Sequence, residues 1–570
     1  MKLNKRINKA AMAFVQSLMD NGHEHLMPKF KHNDLAKLLT YSLGAVLQEE
    51  YTGEPLAPPG PLNDVKGTRR EPESLSDLLP DATNFYNDLG EPLLVVAQGA
   101  LYIYLDGVWT GLNQLEGLVG ALANVPVWRK PTKQYQDGRV VTWQQWAEME
   151  PASFNWADLN GTGKALLSLE EISQPDFFDT GSQGGVCLND SFLKLEEEDG
   201  TWQAFEEEHS PKHRAMFKLP LDMPDFNRKP QAFIGHLERC YKGDRDVHDK
   251  VAVIQEWFGM MYTGFATKIS DARVLMLQVA ASSGKSIIHA VAEASIPVRD
   301  GAGNRLVEAQ NPDEWNETGN AGDFKRCLFK HVVLNSTAEL PSWKHLKRSD
   351  IFKKMVTGDP ISARDPGGKG FSFTPMAAQL FSSNHDGQET PDGSDGFFRR
   401  WLIVGHNRTF AGARDARDKT GYIKELTAPD EMQALLGWAI LGALRVLRNG
   451  EKYTFLESSK ELVDMWKGAS DPFSRYWEDC VLIGGDFIQT FKHSFREYKD
   501  FCVLQEESFI KRGEYEAKLK SKGVKVFHDT TRNQKMVAGM QPRDGTGKGA
   551  TYGNWRDDFR PKRGGLEVVK

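Results

Sequence analysis

The sequence predicts an α/β protein whose main domain is built around one strand, one loop and one helix. Residues 274–277 (VLML) form an apolar run that ends in small residues and continues, after Gly284-Lys285-Ser286, with the apolar residues of a helix. Short strand-like runs follow downstream at residues 332–334, 378–384 and 401–404. Apolar residues at helical spacing elsewhere in the chain supply the α component.

The segment that joins this first strand to its helix is a candidate phosphate-binding loop (P-loop). Backbone N–H groups at the start of a helix face an anion, Lys285 can reach the outer phosphates of a nucleotide, and Ser286 can hold Mg²⁺. Ser283 and Gly284 complete the candidate binding segment. The pattern G-x-x-x-x-G-K-[ST] would place glycine where the chain has Val279, so an ordinary strand-to-helix turn stays open as the alternative.

Length and composition exclude several classes of protein. A chain of 570 residues is too long for one core, so we expect about two to four domains. Hydrophobic residues make up 40% of the chain, and no run approaches the ~20 apolar residues of a membrane helix, so we expect a soluble protein. The five cysteines lie far apart without a C-x-x-C pair, which argues against a zinc module and for a reducing compartment.

Charge is unevenly distributed along the chain. The net charge is −7, but residues 491–570 hold 18 Lys and Arg against 11 Asp and Glu, so this segment carries +7 and the remainder −14. We therefore expect an electrostatic partner to dock at the C-terminal segment. Acidic runs at residues 196–199 and 206–208 could hold a metal, but a solvated surface is the favoured interpretation.

Three patterns stand out upstream of the candidate loop. Residues 7–50 show helical periodicity and predict two or three amphipathic helices, and the Pro/Gly-rich residues 53–63 predict a linker. Residues 101–109 alternate in polarity and turn at Asp106-Gly107, which predicts a β-hairpin. Residues 246–264 predict a helix that packs in front of the first strand.

Downstream of the loop, polar residues follow the predicted strands where a nucleotide site would need them. Glu339 is the only acid in the segment that follows residues 332–334, although an exposed loop glutamate is the alternative interpretation. Asn384 ends the next strand and could orient water at a γ-phosphate. Arg399 and Arg400 precede the last strand, where one of them could act as an arginine finger.

A second hairpin is predicted between Glu339 and Asn384. Residues 361–365 and 371–373 read as its two strands, joined by a turn that places Lys369 at the tip. A lysine held out on a rigid hairpin suits a nucleic-acid backbone, whereas an ordinary surface lysine in a turn is the alternative.

The order of these motifs resembles the superfamily 3 helicase module, in particular the primase-helicases of phages, phage satellites and poxviruses. The resemblance rests on the P-loop, the acid, the segment KKMVTGDPISARDPGGKGFSFTPMAAQLFSSNHD and the segment DGFFRRWLIV, in this order. It extends over roughly residues 90–540 and includes GVCLN at 185–189 and EWFG at 256–259.

The resemblance implies an AAA+-like P-loop ATPase that uses ATP and Mg²⁺, assembles as a homo-hexamer around single-stranded or forked DNA, and translocates 3′ to 5′. It also implies the following roles: Lys285 on the β- and γ-phosphates, Ser286 on Mg²⁺, Glu339 in activating water, Asn384 as sensor, Arg399 or Arg400 across the subunit interface, and Lys369 with Arg364 on DNA. Because the arginine finger comes from a neighbouring subunit, hydrolysis would depend on assembly.

The resemblance also suggests a division of the chain. We expect a helical N-terminal region with a linker at 1–85, a β-containing and helical region at 86–260, the AAA+-like ATPase at 261–410, a helical lid at 411–470, and a basic winged-helix-like domain at 471–570. A small structural cap is the alternative for the last domain. The first ~85 residues are too few for a primase, so priming would need a separate primase partner.

Two departures from the family pattern bear on the activity. The family usually has glycines where this chain has Val279 and Ser282, and the strand that should end in an acid ends in Asn335. We expect a replicative DNA helicase of phage or mobile-element origin in the cytoplasm, that of a bacterial host if the gene is phage-encoded. One alternative is a ring-shaped DNA-binding or origin-recognition factor with a weakly hydrolysing P-loop, and another is an ATPase in packaging or host interference.

Overall fold

The structure is a computed structural model that describes most of the chain. The described residues are 2–20, 28, 31–52, 62–63, 69–70, 87, 90–112, 115–127, 150–178, 184–278, 281–300, 303–340, 349–367, 370–384, 394–414, 417–505 and 509–542. Among them, no helix has the length and apolar character needed to cross a bilayer.

Two helices and a small antiparallel sheet share the N-terminal core. The elements of this part are α1 (Lys2–Asp20), α2 (His32–Thr52), β1 (Leu62–Asn63), β2 (Arg69–Arg70), β3 (Leu94–Ala97), β4 (Ala100–Leu105), β5 (Val108–Leu112), α3 (Leu115–Val119), β6 (Pro126–Val127), β7 (Glu150–Pro151) and α4 (Trp156–Leu166). The predicted hairpin is confirmed, because β4 and β5 pair in antiparallel fashion. Asp106 and Gly107 both have positive φ, as a type I′ turn requires.

A second sheet and two helices precede the central domain. They are β8 (Gly185–Cys187), β9 (Phe192–Glu198), β10 (Thr201–Glu207), α5 (Gln231–Cys240) and α6 (Val247–Thr263). The strands β8–β10 were not predicted. The acidic run at the end of β9 is exposed, and among the described residues no group of acidic, His or Cys side chains could hold a metal ion.

The central domain is a five-stranded parallel sheet covered by helices, which confirms the predicted α/β class. Its elements are β11 (Val274–Gln278), α7 (Lys285–Ala294), β12 (Val307–Glu308), α8 (Pro312–Asn316), α9 (Asn320–Cys327), β13 (Leu334–Thr337), α10 (Asp350–Thr357), β14 (Ile361–Arg364), β15 (Gly370–Phe373), β16 (Ala378–Ser382), α11 (Asp395–Phe398) and β17 (Trp401–Gly405). The strand order is β12-β13-β16-β11-β17. After β11 the chain crosses to β12 at the far edge of the sheet and returns through β13 to β16, which lies next to β11. It then adds β17 on the opposite side of β11. Strand β11 therefore lies at a topological switch point, where ligands bind beyond the carboxyl ends of the strands.

Three helices complete this core: α12 (Lys419–Leu426), α13 (Pro429–Arg448) and α14 (Glu457–Ser470). Helix α13 packs closely on α6, because a Cβ added at Gly259 would lie 2.1 Å from the Ala439 carbonyl oxygen. The fully buried Glu256 accepts from Arg445 Nε at 2.6 Å, so the charge between the two helices is paired.

The C-terminal elements form a core of their own. They are α15 (Pro472–Cys480), β18 (Val481–Thr490), α16 (Phe491–Leu504), α17 (Arg512–Ser521), β19 (Lys525–Asp529) and β20 (Gln534–Pro542). The three strands are antiparallel in the order β18-β20-β19, and a separate hydrophobic cluster lies beneath them. Strand β18, which Gly484-Gly485 interrupts in sequence, was not predicted.

Candidate nucleotide-binding site

The residues of the candidate P-loop lie where β11 passes into α7, at the carboxyl edge of the central sheet. Gly284 is the residue before the helix, with φ of +90°. A side chain there would also meet Cys240 Sγ of α5 at 2.6 Å, so both the backbone and the neighbouring helix require glycine. Lys285 follows as the first residue of α7, and Ser286 is exposed.

The Lys285 side chain reaches the end of the neighbouring strand. Its Nζ donates a hydrogen bond of 3.0 Å to Oδ1 of Asn384, which follows β16. Because β11 and β16 are parallel and adjacent, their carboxyl ends meet at one edge and bring these two residues together. Lys285 is only 7% exposed, whereas Asn384 is exposed.

Glu339 lies at the same edge, after β13. The segment that carries it is tied to β16, since the backbone N–H of Leu340 donates to the Ser382 carbonyl at 2.8 Å. Burial lowers the pKa of Lys285, and the charge of Glu339 acts in the opposite direction. The exposed carboxylate is therefore near enough to act on Lys285 and open to solvent on its outer side.

Asn335 has a structural role inside the sheet. It is fully buried, its Oδ1 accepts from the Gln310 N–H at 2.9 Å, and its Nδ2 donates to Gln379 Oε1 at 2.8 Å. Its amide group therefore joins β13 to β16 and to the segment after β12. The predicted strand end at Asn335 is wrong, because β13 continues to Thr337. Mg²⁺ in nucleotide sites takes oxygen ligands from the protein and from the phosphates, so the exposed Ser286 hydroxyl fits that ion, with the Glu339 carboxylate at the same sheet edge.

The structure separates the two predicted finger residues. Arg399 is exposed between α11 and β17. Arg400 is 9% exposed, its Nη1 donates to the Gly396 carbonyl, and its own carbonyl accepts from the Val274 N–H at 2.8 Å. The side chain of Arg400 is thus held inside the domain, whereas that of Arg399 is exposed to solvent.

The predicted second hairpin is confirmed as the antiparallel pair β14 and β15, with Arg364 opposite Gly370 at the exposed end. Its tip residue Lys369 lies outside the described residues, as does Val279 of the loop. Ser282 has φ of +54°, in the left-handed region that favours glycine, so the second missing glycine does stand at a strained position.

Sequence reasoning missed the buried groups behind the loop. His406, directly after β17, contacts the Ser283 carbonyl through Nδ1 at 3.3 Å, and the Tyr241 hydroxyl contacts His406 Nε2 at 3.0 Å. His236 on α5 contacts the Gly284 carbonyl through Nε2 at 3.3 Å. His236 and Tyr241 precede the loop by more than 40 residues without any motif, so the sequence carried no signal for them.

A family model described as a family of unknown function (DUF5906) matches residues 280–400. This range holds most of the loop and all the acid, amide and arginine candidates. No curated protein matches the sequence.

Several solved structures are similar to parts of the chain. The NrS-1 C-terminal region is 11% identical over 60% of this chain and 82% of that chain, with a TM-score of 0.36. A JCV helicase is 14% identical over 42% and 59%, with a TM-score of 0.21, and SCCmec type IV Cch, described as an active helicase, is 12% identical over 65% and 64%, with a TM-score of 0.23. Similarity at this level carries no functional argument.

Proposed function

We propose that the chain is an ATP-dependent DNA helicase of the superfamily 3 type, with an AAA+-like ATPase core that works as a ring on single-stranded DNA and moves 3′ to 5′. One observation carries the proposal: Lys285, buried at the start of α7, bonds to Asn384 at the carboxyl edge of the sheet, with Ser286 and Glu339 exposed beside it. A buried cation with a polar, solvent-open rim at a topological switch point is the arrangement that polyphosphate binding requires.

Each residue of this edge has a distinct proposed role. The Lys285 ammonium binds the outer phosphates, and Glu339 holds and activates the attacking water. Asn384, which accepts from Lys285, reports on occupancy of the γ-phosphate position. Bound Mg²⁺ supplies charge neutralisation, with Ser286 as its protein ligand.

Assembly completes the proposed site. Arg399 is exposed, so the finger role falls to it and makes hydrolysis depend on a neighbouring copy of the chain. A homo-hexamer is the stoichiometry that we propose for the ring.

Two basic regions are the proposed DNA contacts. The hairpin presents Arg364, and by its predicted position Lys369, toward the DNA. In the C-terminal part, the order helix, strand, two helices and two strands supports a winged-helix domain, and Lys492, Arg512 and Lys535 line a cleft of about 530 Å³ there. Such cations suit phosphate contacts that do not read sequence.

The test is a comparison of Lys285→Ala with Lys424→Ala, an exposed lysine on α12. We expect Lys285→Ala to lose ATPase activity stimulated by single-stranded DNA and unwinding of a forked duplex, while Lys424→Ala keeps both. Full stimulated turnover in Lys285→Ala would refute the proposal.

The strained Ser282 and the absence of an acid in β13 favour one second candidate, a DNA-binding ring that binds nucleotide and hydrolyses it weakly. Glu339→Gln separates the two. In the helicase, this variant should bind ATP with unchanged affinity and lose turnover. In the second candidate, the slow turnover should not change. An ATPase in packaging or host interference would hydrolyse ATP without unwinding the fork.

A further inference from the structure

Three consecutive carbonyl groups of the P-loop are tied to the protein behind it. The Ser282 carbonyl accepts from the Phe410 N–H at 2.8 Å, the Ser283 carbonyl contacts His406 Nδ1, and the Gly284 carbonyl contacts His236 Nε2. These donors come from the segment after β17 and from α5, and the Gly284 carbonyl also accepts from the Ile287 N–H of α7 at 3.0 Å. Two parts of the chain outside the loop and its helix therefore hold one short turn.

This anchoring determines where the loop N–H groups point. In a planar trans peptide the N–H lies opposite to the C=O, and no cis peptide bond occurs in the described residues. The N–H groups of Ser283, Gly284 and Lys285 therefore point away from the three anchoring donors. Successive N–H groups in a turn with left-handed residues form a concave anion site, and the left-handed residues here are Ser282 and Gly284.

The hydrogen-bonding state of the two imidazoles is determined by their surroundings. The Tyr241 hydroxyl keeps its proton, because burial raises its pKa well above the ordinary value, and it can donate to His406 Nε2. His406 then carries its proton on Nδ1 and donates it to Ser283. Burial lowers the pKa of His236 to about 4 and that of His406 to about 3, so both rings are neutral at neutral pH.

We infer that His406 and His236 are positioning residues for nucleotide binding, which hold the P-loop in its anion-binding shape where the glycines of the usual pattern are missing. They act through the loop carbonyls and do not touch the nucleotide. This inference rests on the proposed nucleotide-binding function of the loop.

The test uses amide side chains as partial replacements for each ring nitrogen in the full-length chain. Asparagine places its NH₂ near the Nδ1 position and glutamine places it near the Nε2 position. We expect His406→Asn to bind mant-ATP with Mg²⁺ within about threefold of the wild type, and His406→Gln to bind about five- to tenfold more weakly, as for one lost hydrogen bond. The order should reverse at the other ring, with His236→Gln close to wild type and His236→Asn weaker.

Two further measurements keep the inference testable if a histidine variant fails to fold. Tyr241→Phe keeps its volume and removes the donor to His406, so its Kd for mant-ATP should rise about threefold. Tripolyphosphate, which lacks base and ribose, should show the same ranking of variants, because the effect acts on phosphate contacts.

The outcomes separate this inference from the proposed function. If Lys285→Ala loses nucleotide binding but Asn and Gln behave alike at both histidines and Tyr241→Phe is unchanged, the positioning role is refuted and the nucleotide site stands. If the folded wild-type chain binds neither mant-ATP nor tripolyphosphate, both are refuted. Opposite amide preferences at the two positions support the positioning role, because a loss of packing alone would not produce them.

Discussion

Two regions of the molecule are each built around a lysine that is 7% exposed, and they use it differently. At the sheet edge, Lys285 has an amide partner and an acid near it, and the surrounding polar groups are open to solvent. Beneath the hairpin, Lys330 Nζ lies 5.8 Å from the centroid of the Tyr102 ring and 5.1 Å from that of Phe371.

The difference lies in what surrounds the buried cation. Around Lys330 the protein itself supplies aromatic faces and the charge of Asp365, so three parts of the chain are joined: the N-terminal sheet, the hairpin and the turn before β13. Around Lys285 the neighbours are the exposed Asn384 amide and the exposed Glu339 carboxylate. Burial alone therefore does not distinguish the two lysines, whereas the solvent-open polar groups around Lys285 do.

The largest expected effect concerns Arg399 and Arg400, of which the first is exposed and the second is enclosed. Arg399→Ala should lower ATPase turnover about 10³-fold without changing the Kd for ATP, as for a finger that acts across an interface. Arg400→Ala should instead lower the thermal unfolding midpoint, because it removes a buried hydrogen bond. Steady-state ATPase assays and thermal unfolding measure the two effects.

A mixing experiment controls for this prediction. Lys285→Ala subunits mixed with Arg399→Ala subunits should regain part of the activity, because some interfaces then pair an intact lysine with an intact arginine. No recovery, or equal kinetic defects in the two arginine variants, would contradict a role for Arg399 in trans.

The second prediction exchanges each buried lysine for an uncharged side chain of similar length. Lys285→Met should weaken ATP binding about 30- to 100-fold, since a charged hydrogen bond to phosphate is lost. Lys330→Met should change the Kd by less than about twofold. Isothermal titration with a non-hydrolysable ATP analogue distinguishes the two, and a large loss in Lys330→Met would mean that the hairpin region is part of the nucleotide site.

The third prediction concerns pH. Burial lowers the pKa of Lys330 to about 8 from its ordinary 10.5, with Asp365 opposing the shift, so the folded state disfavours the charged form. The resulting cost in stability is complete below pH 8 and disappears as pH rises from 8 to 10.5, because only there does the unfolded chain bind more protons. The free energy of unfolding of Lys330→Met should therefore exceed that of the wild type most at pH 7, by about 3 kcal/mol at most. This difference should disappear by pH 10.5.

Thermal unfolding across this range measures the difference, with the exposed Lys424→Met as control. A gap between Lys330→Met and wild type that stays constant from pH 7 to 10.5 would show that Lys330 is not desolvated as its surroundings indicate.

The smallest expected effect is that of Ser282→Gly. Glycine relieves the left-handed strain of about 1 kcal/mol but loses a similar amount in chain entropy, so stability should change by less than about 0.5 kcal/mol. The Kd for ATP should stay within about twofold, because the anchored carbonyls already hold the loop. Tenfold tighter binding in a titration would mean that Ser282 limits the loop shape.

Local patterns predicted most of the secondary structure, because turns and helices depend on residues that are close in sequence. Turn chemistry at Asp106-Gly107 and the helical spacing in α1, α2 and α6 were sufficient. Strand β18 was missed because its glycines interrupt the apolar pattern, and β12 because two residues carry no periodicity. Pairing with distant strands forms both.

The sequence by itself determined the strand-loop-helix unit, the order of the acid, amide and arginine candidates, and the basic C-terminal segment, because composition and spacing are properties of the chain. Only the tertiary structure decided that Lys285 meets Asn384, that Asn335 and Arg400 are enclosed, and that His236, His406 and Tyr241 stand behind the loop. These facts depend on which strands are neighbours and which carbonyls face inward, and long-range packing, not local sequence, sets both.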